Sequence, residues 1–507
     1  MKKGFTIVEL LIVIVVIAIL AAITIVAYNG IVLKAAEASM RSDLRNTASL
    51  LSVYQFDNTT YPTGTTLAAN LKAESPNNTL SYAGTGTNYC LSISSTRSPL
   101  KLRTSNKNII EEGACVVESP ISGGVFHSLA IATNGQVYSW GQDGSGQLGN
   151  GAPTSNVLSP TNISANGSLA GKTFTKVSGG YNNSLALASD GTVHSWGQNG
   201  YGETGTGLGG SYVVTPAIVS TGSIAGKTIT QIGSGGFHSL ALASDGTLHT
   251  WGQNVYGQLA IGASDNNPHP TPINITSSGS LAGKTIIQIN SGLTYNLALA
   301  SDGTVHSWGQ NQLGQLGTGT SDSASHPTPV NISSSGSLAG KTITQITGSG
   351  SHAFALASDG TLHTWGDNSF GKLGIGTADT APHPTPVDIS SSGSLAGKTI
   401  TYVARAGTLS IAVTSEGNLH TWGDNTYGQL GIGSTDTSAH PTPVNISLSG
   451  PLAGKIITSV TGGGYHLFAT TADAELYSLG GNQWGQVGDG TTILRNTAVK
   501  IPFSLKI

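Results

Sequence analysis

The sequence is poor in charge, cysteine and methionine. Only 9% of its 507 residues are charged, and the formal net charge is -3. No cluster of lysine or arginine provides the footprint of a nucleic-acid or anionic-lipid partner, so neither is expected. Glycine, in contrast, occurs 70 times. A glycine-rich chain with so little charge is typical of turn-rich β structure.

The chain also lacks the residue patterns that support catalysis or metal binding. We find no pair of catalytic carboxylates, no nucleophile triad and no metal-ligand cluster. Histidine occurs 13 times, but at repeated positions such as those of His238, His249 and His269, which a ring would keep apart. The repeated Ser-Leu-Ala-Gly-Lys-Thr is not a phosphate loop, because only three residues separate Gly279 from Gly283. We therefore expect a protein that is not an enzyme and has no cofactor or metal.

The N-terminus joins a short basic segment to a long apolar one. Lys2 and Lys3 come first, and residues 10 to 27 carry no charge. Such a segment is nearly long enough to cross a bilayer as a helix, with its lysines on the cytoplasmic side. Glu9 lies at the edge of this segment, where a carboxylate needs a partner. The alternative, an ordinary membrane anchor or uncleaved signal peptide, gives no reason for Glu9.

The run Lys3-Gly4-Phe5-Thr6, with Glu9 and an unbroken apolar helix after it, resembles the start of type IV prepilins. The resemblance implies that a prepilin peptidase cuts between Gly4 and Phe5 and methylates the new amine of Phe5. It implies that Glu9 pairs with the N-terminal amine of a neighbouring subunit during assembly. It also implies residence in the inner membrane first, and in an extracellular pilus or on the cell surface afterwards.

Apolar residues continue at helical spacing as far as Leu51, and the pattern stops at Asp57. We therefore expect a leader at residues 1–4, a transmembrane and filament helix at 5–56, and a small pilin-like head at 57–118. Cys90 and Cys115 fall in this head. In an exported chain we expect them to form a disulfide, with two buried free thiols as the alternative.

From residue 119 onward the sequence is periodic. One tryptophan marks each unit, with Leu479 in the seventh place: Trp140, Trp196, Trp251, Trp308, Trp365 and Trp422. Each unit contains two β-forming runs around an Asp-Gly turn, with a further strand expected on either side. One twisted four-stranded sheet cannot bury both faces, whereas seven packed radially can. We predict a seven-bladed β-propeller over 119–503 with the tryptophans in its core, and a β-solenoid as the alternative.

The repeat resembles that of the regulator-of-chromosome-condensation family, as in the segment GFHSLALASDGTLHTWGQNVYGQLA at 236–260. The resemblance implies a propeller. The nucleotide-exchange activity of some eukaryotic members is not expected here, because a surface propeller would not meet a cytosolic GTPase. The whole chain is thus predicted to be α+β but mostly all-β, with a long pilin helix and small head before a seven-bladed propeller.

The repeat also places one lysine per unit on a common rim: Lys172, Lys227, Lys284, Lys341, Lys398 and Lys455. These are either solvated loop lysines or a docking rim for an anionic surface polymer.

We expect the chain to be a minor, tip-located pilin that displays its propeller for adhesion or recognition. A propeller about 50 Å wide cannot sit on every subunit of a filament whose helices pack about 10 Å apart. The expected partners are other pilin subunits, the prepilin peptidase, the inner membrane and a surface glycan or protein. The alternative is a structural pseudopilin of a type II secretion or DNA-uptake system.

Overall fold

The computed structural model describes some of residues 39–51, five strands between residues 63 and 112, and residues 119–505 apart from 152, 154 and 405. By its contacts the chain divides into two compact units, Met1–Val116 and Val117–Ile507. Gly4, Phe5, Glu9 and Cys115 lie outside the described residues, as does most of the predicted helix. Among the residues that are described, no helix is long and apolar enough to cross a membrane.

The first unit combines helical residues with a small sheet. The described residues between 39 and 51 are helical, and Met40, Asp43, Thr47 and Leu51 are buried at the spacing of one helix face. Cys90 lies in this sheet opposite Ser105, and its disulfide to Cys115 remains a prediction. The antiparallel strands follow sequence order: β1 (Thr63–Gly64), β2 (Asn78–Thr85), β3 (Tyr89–Ser95), β4 (Ser98–Ser105) and β5 (Glu111–Glu112).

The second unit is the predicted seven-bladed propeller, which the structure confirms as seven four-stranded antiparallel sheets. The first strands of the blades, which line the axis, are β6 (Ile121–Gly123), β10 (Phe174–Gly179), β14 (Ile229–Ser234), β18 (Ile286–Ser291), β22 (Ile343–Gly348), β26 (Ile400–Ala404) and β30 (Ile457–Gly462). The second strands are β7 (His127–Ile131), β11 (Asn183–Ala188), β15 (His238–Ala243), β19 (Tyr295–Ala300), β23 (His352–Ala357), β27 (Leu409–Thr414) and β31 (His466–Thr471).

The two outer strands complete each blade. The third strands are β8 (Val137–Gly141), β12 (Val193–Gln198), β16 (Leu248–Asn254), β20 (Val305–Gln310), β24 (Leu362–Asp367), β28 (Leu419–Gly423) and β32 (Leu476–Gly480). The fourth strands are β9 (Val157–Asn162), β13 (Tyr212–Val219), β17 (Asp265–Asn274), β21 (Ser325–Asn331), β25 (Pro382–Asp388), β29 (His440–Asn445) and β33 (Arg495–Ile501).

Short 3-10 turns punctuate the connections. One lies in the loop after β24, at Ser369–Gly371. The others precede the next blade, at Gly167–Leu169, Gly222–Ile224, Gly279–Leu281, Gly336–Leu338, Gly393–Leu395 and Gly450–Leu452. Each of these six buries one apolar side chain, for example Leu281, and so fastens the connection to the core.

The ring closes without exchanging strands between blades. Neighbouring first strands contact one another around the whole axis, and β30 of the last blade contacts β6 of the first. The C-terminal tail then crosses this seam, because Leu505 pairs with Ala132 and the Phe503 ring packs 4.8 Å from that of Tyr138. Each second strand is buried along its length, as expected for a strand covered by sheets on both faces.

The repeat tryptophans join each blade to the one before it, as predicted for the core. All six are fully buried. The indole Nε1 of Trp365 donates to the backbone carbonyl of Gln315 in the preceding blade at 3.0 Å. Trp140 closes the ring in the same way, by donating to the carbonyl of Gln486 at 2.9 Å. We call this contact, which recurs at all six tryptophans, the indole lock.

Glutamines of three first strands form a second link nearer the axis. The side-chain amide of Gln288 donates to the carbonyl of Ile346 at 3.0 Å and accepts from its N–H at 2.9 Å. Gln231 and Gln345 bind the next blade in the same two-sided way. The amide thus takes the place of a peptide group where neighbouring first strands do not form a ladder.

Replacing single tryptophans tests the indole lock. The carbonyl of Gln258 accepts from both Trp308 and Asn296. In the next blade Ala353 stands in place of Asn296, so the carbonyl that accepts from Trp365 has no such second donor. We expect Trp365→Phe to lower the free energy of unfolding by about 2–4 kcal/mol, through lost packing and an unpaired carbonyl. Trp308→Phe should cost less.

Chemical denaturation followed by near-UV circular dichroism measures both losses. Trp484, which is half-buried and lies outside the lock, provides the control. Trp484→Phe should change stability by less than about 0.5 kcal/mol. Equal losses in all three variants would contradict a role for the lock.

Candidate functional site

The strand order sorts the loops onto two faces of the propeller. Loops between first and second strands, and between third and fourth strands, lie at one end of every blade. Turns between second and third strands lie at the other end, together with the links to the next blade. We call the first end the aromatic face, after Phe126 and its neighbours, and the second the lysine face, after the six predicted lysines.

On the lysine face, each of the six lysines forms an ion pair. The partner is the carboxylate 18 residues further on, in the turn between the second and third strands, and Lys455 also lies 2.7 Å from Glu475. Lys284 Nζ, for instance, lies 2.6 Å from Asp302. The six pairs are Lys172–Asp190, Lys227–Asp245, Lys284–Asp302, Lys341–Asp359, Lys398–Glu416 and Lys455–Asp473. The lysines therefore fasten loops to turns, and binding of an anionic polymer there remains a prediction.

A hydrogen-bonded chain extends inward from these ion pairs. Thr304 Oγ1 donates to Asp302 at 2.6 Å and lies 3.0 Å from His306 Nε2. Because the threonine hydroxyl has one proton, Nε2 must donate to it, and Ser280 donates to Nδ1 at 2.7 Å. The neutral tautomer with its proton on Nε2 satisfies both partners. Burial lowers the pKa of His306 to about 4, and the charge of Lys284 acts in the same direction.

The second set of histidines lies at the start of the second strands. His127 Nε2 bonds Ser184 of the next blade at 2.9 Å, and His466 bonds Ser128 across the ring seam at 2.9 Å. Burial lowers the pKa of His466 to about 3. Both histidines therefore link neighbouring blades, and His466 does so as a neutral group.

The third set lies on the outer part of the aromatic face. Each histidine contacts the aspartate four residues before it, as His326 contacts Asp322 at 2.9 Å. The four pairs are His269–Asp265, His326–Asp322, His383–Asp379 and His440–Asp436. In the part of the chain that the structure describes, no three histidine, cysteine or acidic residues converge as a metal site would require.

The aromatic face carries a feature that does not repeat around the ring. Half-buried aromatic side chains from five neighbouring blades contact one another near the axis. The rings of Phe126 and Tyr465 stack at 5.7 Å, and those of Tyr181 and Phe237 stack at 5.4 Å. We call this group the aromatic arc: Tyr427, Tyr465, Trp484, Phe126, Tyr181 and Phe237.

Sequence reasoning missed the arc because it occupies variable positions of the repeat. Thr294, Ser351 and Thr408 stand in other blades where Phe126, Phe237 and Tyr465 stand here. A column-by-column comparison of the repeats would have revealed this enrichment. It would not have shown that ring closure brings the first and last blades together. The arc could thus be assembled only with the structure.

The repeats and their seven blades place the protein in a known family. The family described as the RCC1-like domain matches residues 77–407, and the regulator of chromosome condensation (RCC1) repeat matches 416–470. The chain belongs to the RCC1-like family. The prokaryotic N-terminal methylation motif matches residues 1–25, so this RCC1-like protein also carries a prepilin-type start.

Relatives of this RCC1-like protein include the ultraviolet-B receptor UVR8 of Arabidopsis thaliana. It is 30% identical over 74% of this chain and 80% of UVR8. The E3 ubiquitin-protein ligase HERC2 of Homo sapiens is 32% identical over 72% of this chain, but the match spans only 7% of HERC2. Human HERC2 and its mouse counterpart are thus far longer than the matched region.

Two solved structures support the same fold. Human WBSCR16 aligns with a TM-score of 0.62 at 22% identity, over 73% of this chain and 94% of that one. Yeast RCC1 (Prp20), bound to Kap60, also gives 0.62 at 22% identity, over 76% of this chain and 88% of that one. At this identity the likeness concerns the fold alone.

The buried histidines of the lysine face predict a dependence of stability on pH. His194, His249, His306 and His420 all have their pKa lowered from 6.5 to about 4, chiefly by burial. Between these values the unfolded chain binds protons that the folded chain does not, so stability falls as the pH drops from 6.5 to 4. Thermal unfolding at closely spaced pH values should show this fall.

His306→Gln removes one titrating group from this set. We expect it to be less stable than the wild type at pH 7, because one side-chain amide cannot span both hydroxyls, but to depend less steeply on pH. An unchanged slope between pH 6.5 and 4 would show that His306 does not stay neutral in the folded chain.

Proposed function

We propose that this protein is a type IV pilin-like subunit that presents its RCC1-like propeller as a recognition head at the cell surface. The observation behind the proposal is the union, in one chain, of a prokaryotic N-terminal methylation motif at 1–25 with a closed seven-bladed propeller. The motif accounts for membrane insertion and processing at Gly4 and Phe5. In this proposal the propeller is the domain that is displayed outside the cell.

Binding, rather than catalysis, is the use that the propeller supports. Solved relatives are described in complex with Kap60 or by their binding to Gsp1p and histones, so propellers of this fold engage protein partners. The ligase activity named for HERC2 belongs to a protein of which this chain matches 7%, and it is not proposed here. In the described residues the titratable groups of the lysine face form structural pairs and chains.

We place the protein at the pilus tip or among minor subunits because of its size. A ring about 50 Å across exceeds the spacing between packed filament helices. The second candidate is a structural pseudopilin of a type II secretion or DNA-uptake system, in which the propeller contacts other parts of the machine. The same methylation motif supports both, and they differ in where the mature protein accumulates.

Intact-mass measurement on the native protein tests the proposal. We expect the mature chain to begin at an N-methylated Phe5 and to occur in filaments sheared from cells. Gly4→Leu should leave the chain full-length and in the membrane. Glu9→Gln should be cleaved but depleted from sheared filaments, because the carboxylate that pairs with a neighbouring amine is lost.

Glu37→Gln, which removes a carboxylate outside the motif, is the matched control and should enter filaments normally. Methylated protein that stays in the membrane with secretion components would favour the pseudopilin. An unprocessed chain in the wild type would overturn both candidates and leave an anchored surface propeller.

A further inference from the structure

The aromatic arc is the strongest break in the symmetry of the propeller. Its aromatic side chains follow one another from blade to blade around the axis, on the aromatic face. Centroids are 5.1 Å apart between Tyr427 and Tyr465, 5.7 Å between Tyr465 and Phe126, and 6.3 Å between Phe126 and Tyr181. Phe237 continues the row at 5.4 Å. A row of this kind suits an extended ligand with repeated apolar faces better than a single small molecule.

The arc also has polar groups that the protein leaves unused. No described residue makes a hydrogen bond to the phenol hydroxyls of Tyr181, Tyr427 and Tyr465 or to the indole N–H of Trp484. The six other indole N–H groups all bond carbonyls in the indole lock. Half-buried aromatic rings with free hydroxyl and N–H groups can bind a ligand that is apolar on its face and polar at its edge.

Side-chain amides border the arc. Asn182, next to Tyr181, donates to Gln198 at 3.1 Å, and both are half-buried. Gln147 lies 3.4 Å from Asn182 and is fully buried, so it supports Asn182 from below. In the second blade, Glu203 stands at the repeat position that Gln147 occupies in the first. Burial raises the pKa of Glu203, whose carboxylate accepts from the backbone N–H of Tyr201 at 2.7 Å. Amides offer donors and acceptors side by side, as vicinal hydroxyl groups require.

Charge around the arc argues against an anionic ligand. The loops that supply Phe126, Tyr181, Phe237 and Tyr465 contain no charged residue at 124–126, 180–182, 235–237 and 463–465. The outer part of the same face carries the four aspartates of the His–Asp pairs, which would repel an anionic polymer. A carboxylate that accepts a hydrogen bond, as Asp322 does from His326, keeps its charge, so a cationic peptide is the competing ligand that an oligolysine probe tests.

We propose that the aromatic arc binds a neutral polysaccharide, with sugar rings against the aromatic side chains and hydroxyl groups on the free phenols and the half-buried amides of Asn182 and Gln198. This inference rests on the proposed function, because it names the class of ligand that the displayed propeller would bind. It moves the expected surface from the lysine rim to the opposite face. It also changes the expected ligand from an anionic to an uncharged polymer.

Trp484 provides a direct test, because the other six tryptophans are fully buried. Acrylamide quenching of the full-length chain should therefore report mainly on Trp484. The chain is solubilised in a detergent without a sugar headgroup, and the probes are cello-, xylo- and chito-oligosaccharides, hyaluronate fragments and oligolysine. We expect at least one neutral oligosaccharide to protect Trp484 from the quencher, and neither charged probe to do so.

Variants locate the site. Tyr181→Ala and Phe126→Ala should weaken binding at least tenfold, and Tyr181→Phe, which keeps the ring and is least disturbing to the fold, should weaken it less. Tyr256→Ala in the third blade and Lys284→Ala on the lysine face should bind as the wild type does. Near-UV circular dichroism checks that each variant is folded.

Three results would overturn the inference: no protection by any neutral probe, protection only by hyaluronate or oligolysine, or wild-type affinity in both alanine variants and in Tyr181→Phe. Protection by oligolysine alone would indicate a polypeptide partner. None of these results bears on the processing of Phe5 or on filament location, which the mass measurement tests separately.

Discussion

A tryptophan that crosses from one blade to the next is the contact on which the propeller depends. Its indole packs in the interface and its N–H satisfies a carbonyl that would otherwise be buried without a partner. The exception is the last blade, where Leu467 and Leu479 stand in place of the polar residue and the tryptophan. There an apolar cluster that includes both leucines packs in place of the indole, and backbone hydrogen bonds such as Gly407 N–H to the carbonyl of Gly463, at 2.8 Å, also cross the interface. The ring thus combines six indole locks with one interface that has leucine in place of the indole.

This arrangement gives the two faces different chemistry. On the lysine face, every predicted lysine pairs with a carboxylate, and Thr304 and His306 carry the network inward to Ser280. Its polar groups are largely used in fixing the interblade links. On the aromatic face, the arc retains phenol and indole groups without protein partners among the described residues. The repeated contacts between blades can therefore hold the propeller together while the aromatic arc differs from the rest of its face.

Much of this fold could be predicted from the sequence, because the repeat is so uniform. The spacing of Trp140 to Trp422 gave seven blades and a tryptophan core, and both are confirmed. The ion pairs were not predicted, since only the folded link brings Lys284 against Asp302. The arc was not predicted either, because Phe126 and Tyr465 come from opposite ends of the propeller sequence and meet only when the ring closes. Predictions for Gly4, Phe5, Glu9 and the Cys90–Cys115 pair concern residues or side chains outside the described part.

Hydrogen exchange of the tryptophan indole N–H groups, followed by nuclear magnetic resonance on the 15N-labelled protein, is the most direct test of this account. The seven indoles give one signal each. We predict that six exchange only as fast as the propeller opens, because they are buried and bonded to the preceding blade, and that Trp484 alone exchanges rapidly. Rapid exchange at several core tryptophans, or strong protection of Trp484 in the absence of ligand, would contradict both the indole lock and the open aromatic arc.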